Sequence, residues 1–181
     1  MILKQRAGVD DLRRVHGKAE LVDGKVKLMS PTGGRPARAG GKIYASLLRH
    51  EEERGGGFAL PDNAGFIVDL PNRESFSPDA AWYTGTTIDM SFLNGAPAFA
   101  VEVRSEGDYG PAAEREIADK IADYFAAGTR VVWDVDLLSA DLIRKYTLER
   151  PTEPVLFRAG EIADAEPAVP RWRLSVDHLL K

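Results

Sequence analysis

The spacing of apolar and polar positions divides the chain into strands mixed with two main helices. A short helix is expected over residues 9–16, started by Asp10 or Asp11. Residues 20–29 read as a hairpin, because Asp23-Gly24 is a two-residue turn signal between Ala19-Glu20-Leu21-Val22 and Lys25-Val26-Lys27-Leu28. A loop over residues 30–34 follows. Ile43, Leu47 and Leu48 recur at helical spacing within residues 37–54, which predicts an amphipathic helix stopped by Gly55-Gly56-Gly57. Strands are expected over residues 65–70, 78–83 and 98–104. A second helix covers 112–127 and ends at Gly128, a suitable C-terminal cap. Two strands, 131–135 and 142–147, are joined by a short turn. Beyond Pro151 the pattern gives short extended pieces and a final helical turn at 177–180. This order predicts an α/β or α+β fold with one mixed sheet flanked by helices and an N-terminal hairpin, as a single domain over residues 1–181.

The strand Ala98-Phe99-Ala100-Val101-Glu102-Val103-Arg104 raises a chemical question. Side chains alternate faces, so Phe99, Val101 and Val103 share one side, and Glu102 and Arg104 project from the other beside Ala98 and Ala100. A carboxylate near the end of an apolar strand is costly to bury unless a metal or a cation compensates it. Asp79 poses the same question, since it follows Pro78 and opens the strand Ala80-Ala81-Trp82-Tyr83. Two acids on neighbouring strands, with a cation nearby, can assemble a hard-metal site of the kind that takes magnesium. They can equally form ion pairs with Arg104 or Lys120. The second helix buries a stripe of Ile117, Ile121, Tyr124 and Phe125, and Lys120 sits at its flank, where its stem can lie on apolar surface with the ammonium toward the sheet or toward water.

Composition narrows the classes. Hydrophobic residues make up 44% and charged residues 29% of the 181, as in a folded globular protein. There is no cysteine, which excludes disulfides, thiolate metal sites and a cysteine nucleophile. The residues Met1 to Arg6 do not read as a signal peptide, and no apolar run approaches the ~20 residues of a membrane span, so a soluble cytoplasmic protein is expected. The net charge of −4 argues against coating nucleic acid by bulk electrostatics, though not against local phosphate contacts. Arg35, Arg38, Lys42, Arg49 and Arg54 are offset by Glu51-Glu52-Glu53, which suits a solvated face. His16, His50 and His178 lack ligand spacing, and the glycine pairs match no phosphate-cradling loop. Trp82, Trp133 and Trp172 read as core or interface aromatics.

Pro78-Asp79, the run Gly95-Ala96-Pro97-Ala98-Phe99-Ala100-Val101-Glu102-Val103-Arg104-Ser105, Lys120 through Tyr124 to Ala127-Gly128, and Val132-Trp133-Asp134-Val135-Asp136 together resemble the Uma-two family. The hairpin run from Ala19 to Val26, the Met29-Ser30-Pro31 that follows and the tail from Pro170 to Leu180 are also similar, so the resemblance spans nearly the whole chain. That family is assigned as bacterial endonucleases with the restriction-endonuclease-like PD-(D/E)xK fold. The resemblance implies that Asp79 and Glu102 bind a divalent cation, magnesium or manganese. It implies further that Lys120 is the basic residue of the site, carried on the helix, and that Glu20 is an additional acidic member. Arg104 would support them, by neutralising Glu102 or by clamping a phosphate. The sequence departs from the family pattern at Thr32-Gly33-Gly34-Arg35, where a histidine is frequent, at Arg104, where an aliphatic residue is usual, and at Val131, where glutamate is frequent.

The expected function is metal-dependent hydrolysis of DNA phosphodiesters, by a homodimer if both strands of a duplex are cut. The alternatives are a non-catalytic nucleic-acid-binding or regulatory module that keeps the fold, and a protein-interaction domain.

Overall fold

The structure is a computed structural model and describes residues 6–181; the reading of the N-terminus as carrying no leader falls largely on residues 1–5, outside the described residues. The first helix, α1 (Val9–Arg13), is shorter than its pattern and is not started by Asp10. Gly8 caps it, and the Gly8 amide donates to Asp11 Oδ2 at 2.9 Å. The hairpin β1 (Ala19–Val22) and β2 (Lys25–Leu28) forms as the turn signal requires, with Asp23 and Gly24 both at positive φ.

Helix α2 (Gly34–Arg54) begins three residues before the apolar pattern does, because Pro36 falls in its first turn, where a missing N–H costs no helical bond. It ends at Gly55, φ 65°, whose amide donates to Glu51 O at 2.8 Å. Strands β3 (Phe58–Pro61), β4 (Phe66–Ile67), β5 (Ser75–Phe76), β6 (Ala80–Tyr83), β7 (Leu93–Asn94) and β8 (Phe99–Val103) follow. Helix α3 (Pro111–Ala126) then leads into β9 (Val131–Val135), β10 (Ile143–Thr147), β11 (Arg150–Phe157), β12 (Ile162–Asp164), β13 (Arg173–Ser175) and α4 (Asp177–Leu180).

The main sheet has six strands in the order β11-β10-β9-β8-β6-β3. Only β8 and β9 run parallel, joined by the crossover that contains α3; the remaining pairs are antiparallel. A mixed sheet flanked by helices therefore forms as the pattern predicts. Strand alternation sorts its two faces. Phe99, Val101 and Val103 face α2 in a cluster with Ile43, Leu47, Trp82, Trp133, Trp172 and the C-terminal segment. Ala81, Ala100 and Val132 face the other way, onto Ile121, Tyr124 and Phe125 of α3. All three tryptophans are buried in the first cluster, as their reading as core aromatics requires.

Three local expectations change. Of the strand predicted over 65–70, only Phe66–Ile67 pairs, and it does so in a separate sheet of order β5-β4-β7. Val68 and Leu70 instead bond back to Glu74 and Arg73 around the Pro71-Asn72 turn. Strand β3 was hidden by the Gly55-Gly56-Gly57 stop. The third of these glycines is needed for contact as well: a Cβ on Gly57 would clash with the Trp82 indole at Nε1. Finally, β11 is an eight-residue strand rather than short pieces; it carries Pro151 and Pro154 and lies at the sheet edge, where proline is tolerated.

Candidate active site

The β6–β8 register places the two sequence-selected acids together. Ala80 is the last paired residue of β6, opposite Val101, and Asp79, in the bend just before it, meets the same stretch of β8. The Asp79 amide donates to Val101 O at 2.9 Å, and the Val103 amide donates to Asp79 Oδ2 at 2.7 Å, so Asp79 is clipped to β8 on both sides of Glu102. Helix α2 closes over it at Gly40, where a Cβ would stand 3.5 Å from the Cβ and carbonyl oxygen of Asp79.

Two lysines and a tyrosine hydroxyl occupy the remaining oxygens of the two acids. Lys120 Nζ lies 2.8 Å from Glu102 Oε2 and 2.9 Å from Glu20 Oε1. The ammonium thus points to the sheet, the first of the two directions the helix flank allowed. Burial alone would lower its pKa, but Glu102 and Glu20 reverse this and hold it above the usual lysine range. Glu102 behaves oppositely. Burial raises its carboxyl, Lys120 pulls it down, and the neighbouring charges of Asp79 and Glu20 leave it raised overall. Tyr124 completes Glu102 by donating its hydroxyl to Oε1 at 2.6 Å, while its ring stacks on Phe76 with centroids 4.0 Å apart.

Glu20 is buried at 2% exposure and fully engaged. Besides Lys120 it accepts from Arg73 Nη1 at 2.6 Å and from the Ser77 amide at 2.9 Å. Burial would raise its carboxyl, yet Lys120 and Arg73 together hold it below the usual range. Arg73 is itself buried against the Phe76 ring and also binds Asp123 at 2.8 Å. On the other side of the site, Lys18 Nζ spans Asp79 Oδ1 at 2.7 Å and Asp62 Oδ1 at 2.6 Å.

The fold therefore gathers Asp79, Glu102, Lys120 and Glu20. It carries Arg104 to a different set of partners. Arg104 forms no ion pair with Glu102 among the described residues; its buried guanidinium takes both oxygens of Asp134, at 2.8 and 2.7 Å, and both oxygens of Glu114. The reason lies in register: Asp134 is the cross-strand neighbour of Glu102 on β9, and Arg104 neutralises that buried acid instead. Arg144 binds the same Asp134 at 3.2 Å.

Lys18, Asp62, Arg73 and Asp123 carried no site role in the sequence, and Tyr124 was read only as part of the buried stripe. Lys18 stands two residues before Glu20, in the bend that leads into β1, where no strand pattern marks it. Tyr124 lies one helical turn after Lys120, and its i, i+4 placement was a usable signal. Arg73 sits in an irregular turn with no local pattern to reveal it.

The cluster's chemistry suits a hard divalent cation. Its donors are oxygens, and its five carboxylates (Glu20, Asp62, Asp79, Glu102 and Asp123) face three cations (Lys18, Arg73 and Lys120), leaving two negative charges when all are ionised. Ser77 Oγ, in the residue whose amide holds Glu20, is buried without a hydrogen-bond partner among the described residues. Among the described residues, no three acidic or histidine side chains are arranged to hold an ion alone. An ion held by Asp79 and Glu102 would need water or substrate oxygens to complete its shell.

A mixed sheet with these flanking helices and a hairpin at its margin is the restriction-endonuclease-like architecture. It is shared with a solved structure described as "a putative nuclease belonging to DUF820 from Anabaena variabilis ATCC 29413": the two superpose with a TM-score of 0.74 at 15% identity, over 94% of this chain and 96% of that one. The chain belongs to the Uma2 family, described as "Putative restriction endonuclease", which it matches over residues 9–177. No curated protein matches it. No helix of the described residues is long and apolar enough to cross a membrane.

Proposed function

We propose that the chain is a divalent-metal-dependent endonuclease that hydrolyses DNA phosphodiesters. The observation that carries this reading is that Asp79 is bonded to Val101 and Val103, the two neighbours of Glu102 on β8, with the Lys120 ammonium 2.8 Å from Glu102. Asp79 and Glu102 are the residues that would hold magnesium or manganese. Such an ion polarises the phosphoryl group and lowers the pKa of an attacking water.

The remaining work falls to the chain's own groups. Tyr124 fixes the orientation of Glu102 through one carboxylate oxygen. Lys120, kept charged by its two glutamates, acts as a hydrogen-bond donor that stabilises negative charge on the phosphate rather than as a base. Glu20 and Arg73 hold that lysine in place from behind. Family membership supports DNA as the substrate, and cutting both strands of a duplex favours a two-fold dimer.

A second reading draws on one specific feature: Asp79 and Glu102 already hold a lysine each, as they would in a nucleic-acid-binding module that has given up catalysis. Cleavage of supercoiled plasmid with magnesium or manganese separates the two, using wild type, Asp79→Ala and Glu102→Ala. The nuclease reading requires metal-dependent cleavage that both substitutions abolish. DNA binding without cleavage, unchanged by either substitution, selects the binding module.

A further inference from the structure

We propose that Lys18 is a tethered cation that competes with divalent metal for the Asp79–Glu102 pair, and that Asp62 is the acceptor to which its ammonium withdraws when metal binds. The inference rests on the metal-binding reading of that pair.

Asp79 has two carboxylate oxygens, and one, Oδ2, is committed to the Val103 amide at 2.7 Å. The oxygen left for an ion is Oδ1, and Lys18 Nζ occupies it at 2.7 Å. Glu102 is in the same position, with Oε1 taken by the Tyr124 hydroxyl and Oε2 by Lys120. A metal approaching these oxygens therefore meets an ammonium at each of them, and the two positive charges compete for the same carboxylate. The two lysines differ in what they could fall back on. The second partner of Lys120 is Glu20, whose side chain is 3% exposed and already carries Arg73. The second partner of Lys18 is Asp62, whose side chain is 54% exposed at the end of β3.

Asp62 is also held ready. Its Oδ1 accepts the Asn63 amide at 2.8 Å, and Asn63 sits at φ 68°, so the turn presents the carboxylate to Lys18 without further rearrangement. A lysine on a flexible four-carbon stem can leave Asp79 while keeping Asp62 through a small rotation. In the metal-free protein, meanwhile, Lys18 screens the repulsion between Asp79 and Glu102. The device thus keeps the empty site stable and sets the metal concentration at which it fills.

The test is titration of Mn2+ alone, without DNA, into the full chain by calorimetry, for wild type, Lys18→Met, Asp62→Asn and the double variant. Removing a positive charge beside the ion should tighten Mn2+ binding about tenfold in Lys18→Met. Asp62→Asn, a change at an exposed side chain, should weaken binding severalfold, because Lys18 then has only Asp79. The double variant should match Lys18→Met, since Asp62 acts only through Lys18. Far-UV circular dichroism reports whether each variant is folded, and Asp62→Asn carries the test if Lys18→Met is not. Equal or weaker binding by folded Lys18→Met, or no effect of Asp62→Asn in a wild type that binds, overturns the competition and leaves the metal reading standing. Absence of Mn2+ binding in every variant overturns both. Binding by Lys18→Met alone is the strong form of the expected result.

Discussion

The Tyr124 hydroxyl donates a 2.6 Å hydrogen bond to Glu102, joining the last turn of α3 to the acid on β8. Burial, and then the charge of Glu102, push the phenol well above its usual pKa, so it stays a donor across the working range. Tyr124→Phe keeps the stacking on Phe76 but leaves Glu102 one donor short. The expected loss is about 1.5–3 kcal/mol of stability in urea denaturation. If the proposed nuclease reading holds, cleavage should also slow about tenfold through loss of orientation. A variant as stable as wild type would show that the bond contributes little.

Arg104 should prove structural. It is the principal counter-charge of the buried Asp134, so Arg104→Met should cost about 3–5 kcal/mol in chemical denaturation. Mn2+ affinity of the folded fraction should change little, since Arg104 touches neither Asp79 nor Glu102. Lys in its place restores one contact but not the paired geometry, so recovery should be partial.

Gly40 tests how closely α2 must approach Asp79. A Cβ there meets Asp79 atoms at 3.5 Å, an ordinary contact. Gly40→Ala should therefore be neutral, or stabilise the helix by up to about 1 kcal/mol. Gly40→Leu has no such room; it should cost about 1–3 kcal/mol and weaken Mn2+ binding by displacing Asp79. Equal behaviour of the two variants would mean that the helix can shift freely.

The Asp164–Lys145 pair sets a pH dependence away from the site. Asp164 Oδ1 accepts from Lys145 Nζ at 2.6 Å and from the Glu166 amide at 2.9 Å. Burial alone would raise the carboxyl, but these donors hold it below the usual range. A depressed carboxyl adds stability that is present above the unfolded pKa and is lost as pH falls through the folded one. Wild type should exceed Asp164→Asn by about 1 kcal/mol at pH 7. The gap should begin to close below about pH 4, near the unfolded aspartate pKa, and vanish at lower pH. A gap that does not change with pH would assign the effect to shape rather than charge.

Much of this protein can be read from short stretches of chain. The Asp23-Gly24 turn, the Gly55 and Gly128 helix ends and the alternation that puts Glu102 opposite the Val101–Val103 face all depend on neighbouring residues, and all appear in the structure. Strand and helix patterns also led to Asp79, Glu102 and Lys120, whereas Glu20 came only from the family resemblance. Backbone preferences and side-chain period act over a few residues, which is why such features survive inspection of the sequence alone.

Which cation meets which acid is settled over longer distances. Lys18 and Asp79 are 61 positions apart, and Arg73 and Glu20 are 53 apart. Arg104 looked equally suited to Glu102 until the β8–β9 register set Asp134 beside it. Coulombic attraction does not recognise sequence separation. A pair forms wherever strand order and register bring two groups within a few ångströms of each other inside a poorly solvated site, and that order exists only once the sheet has assembled.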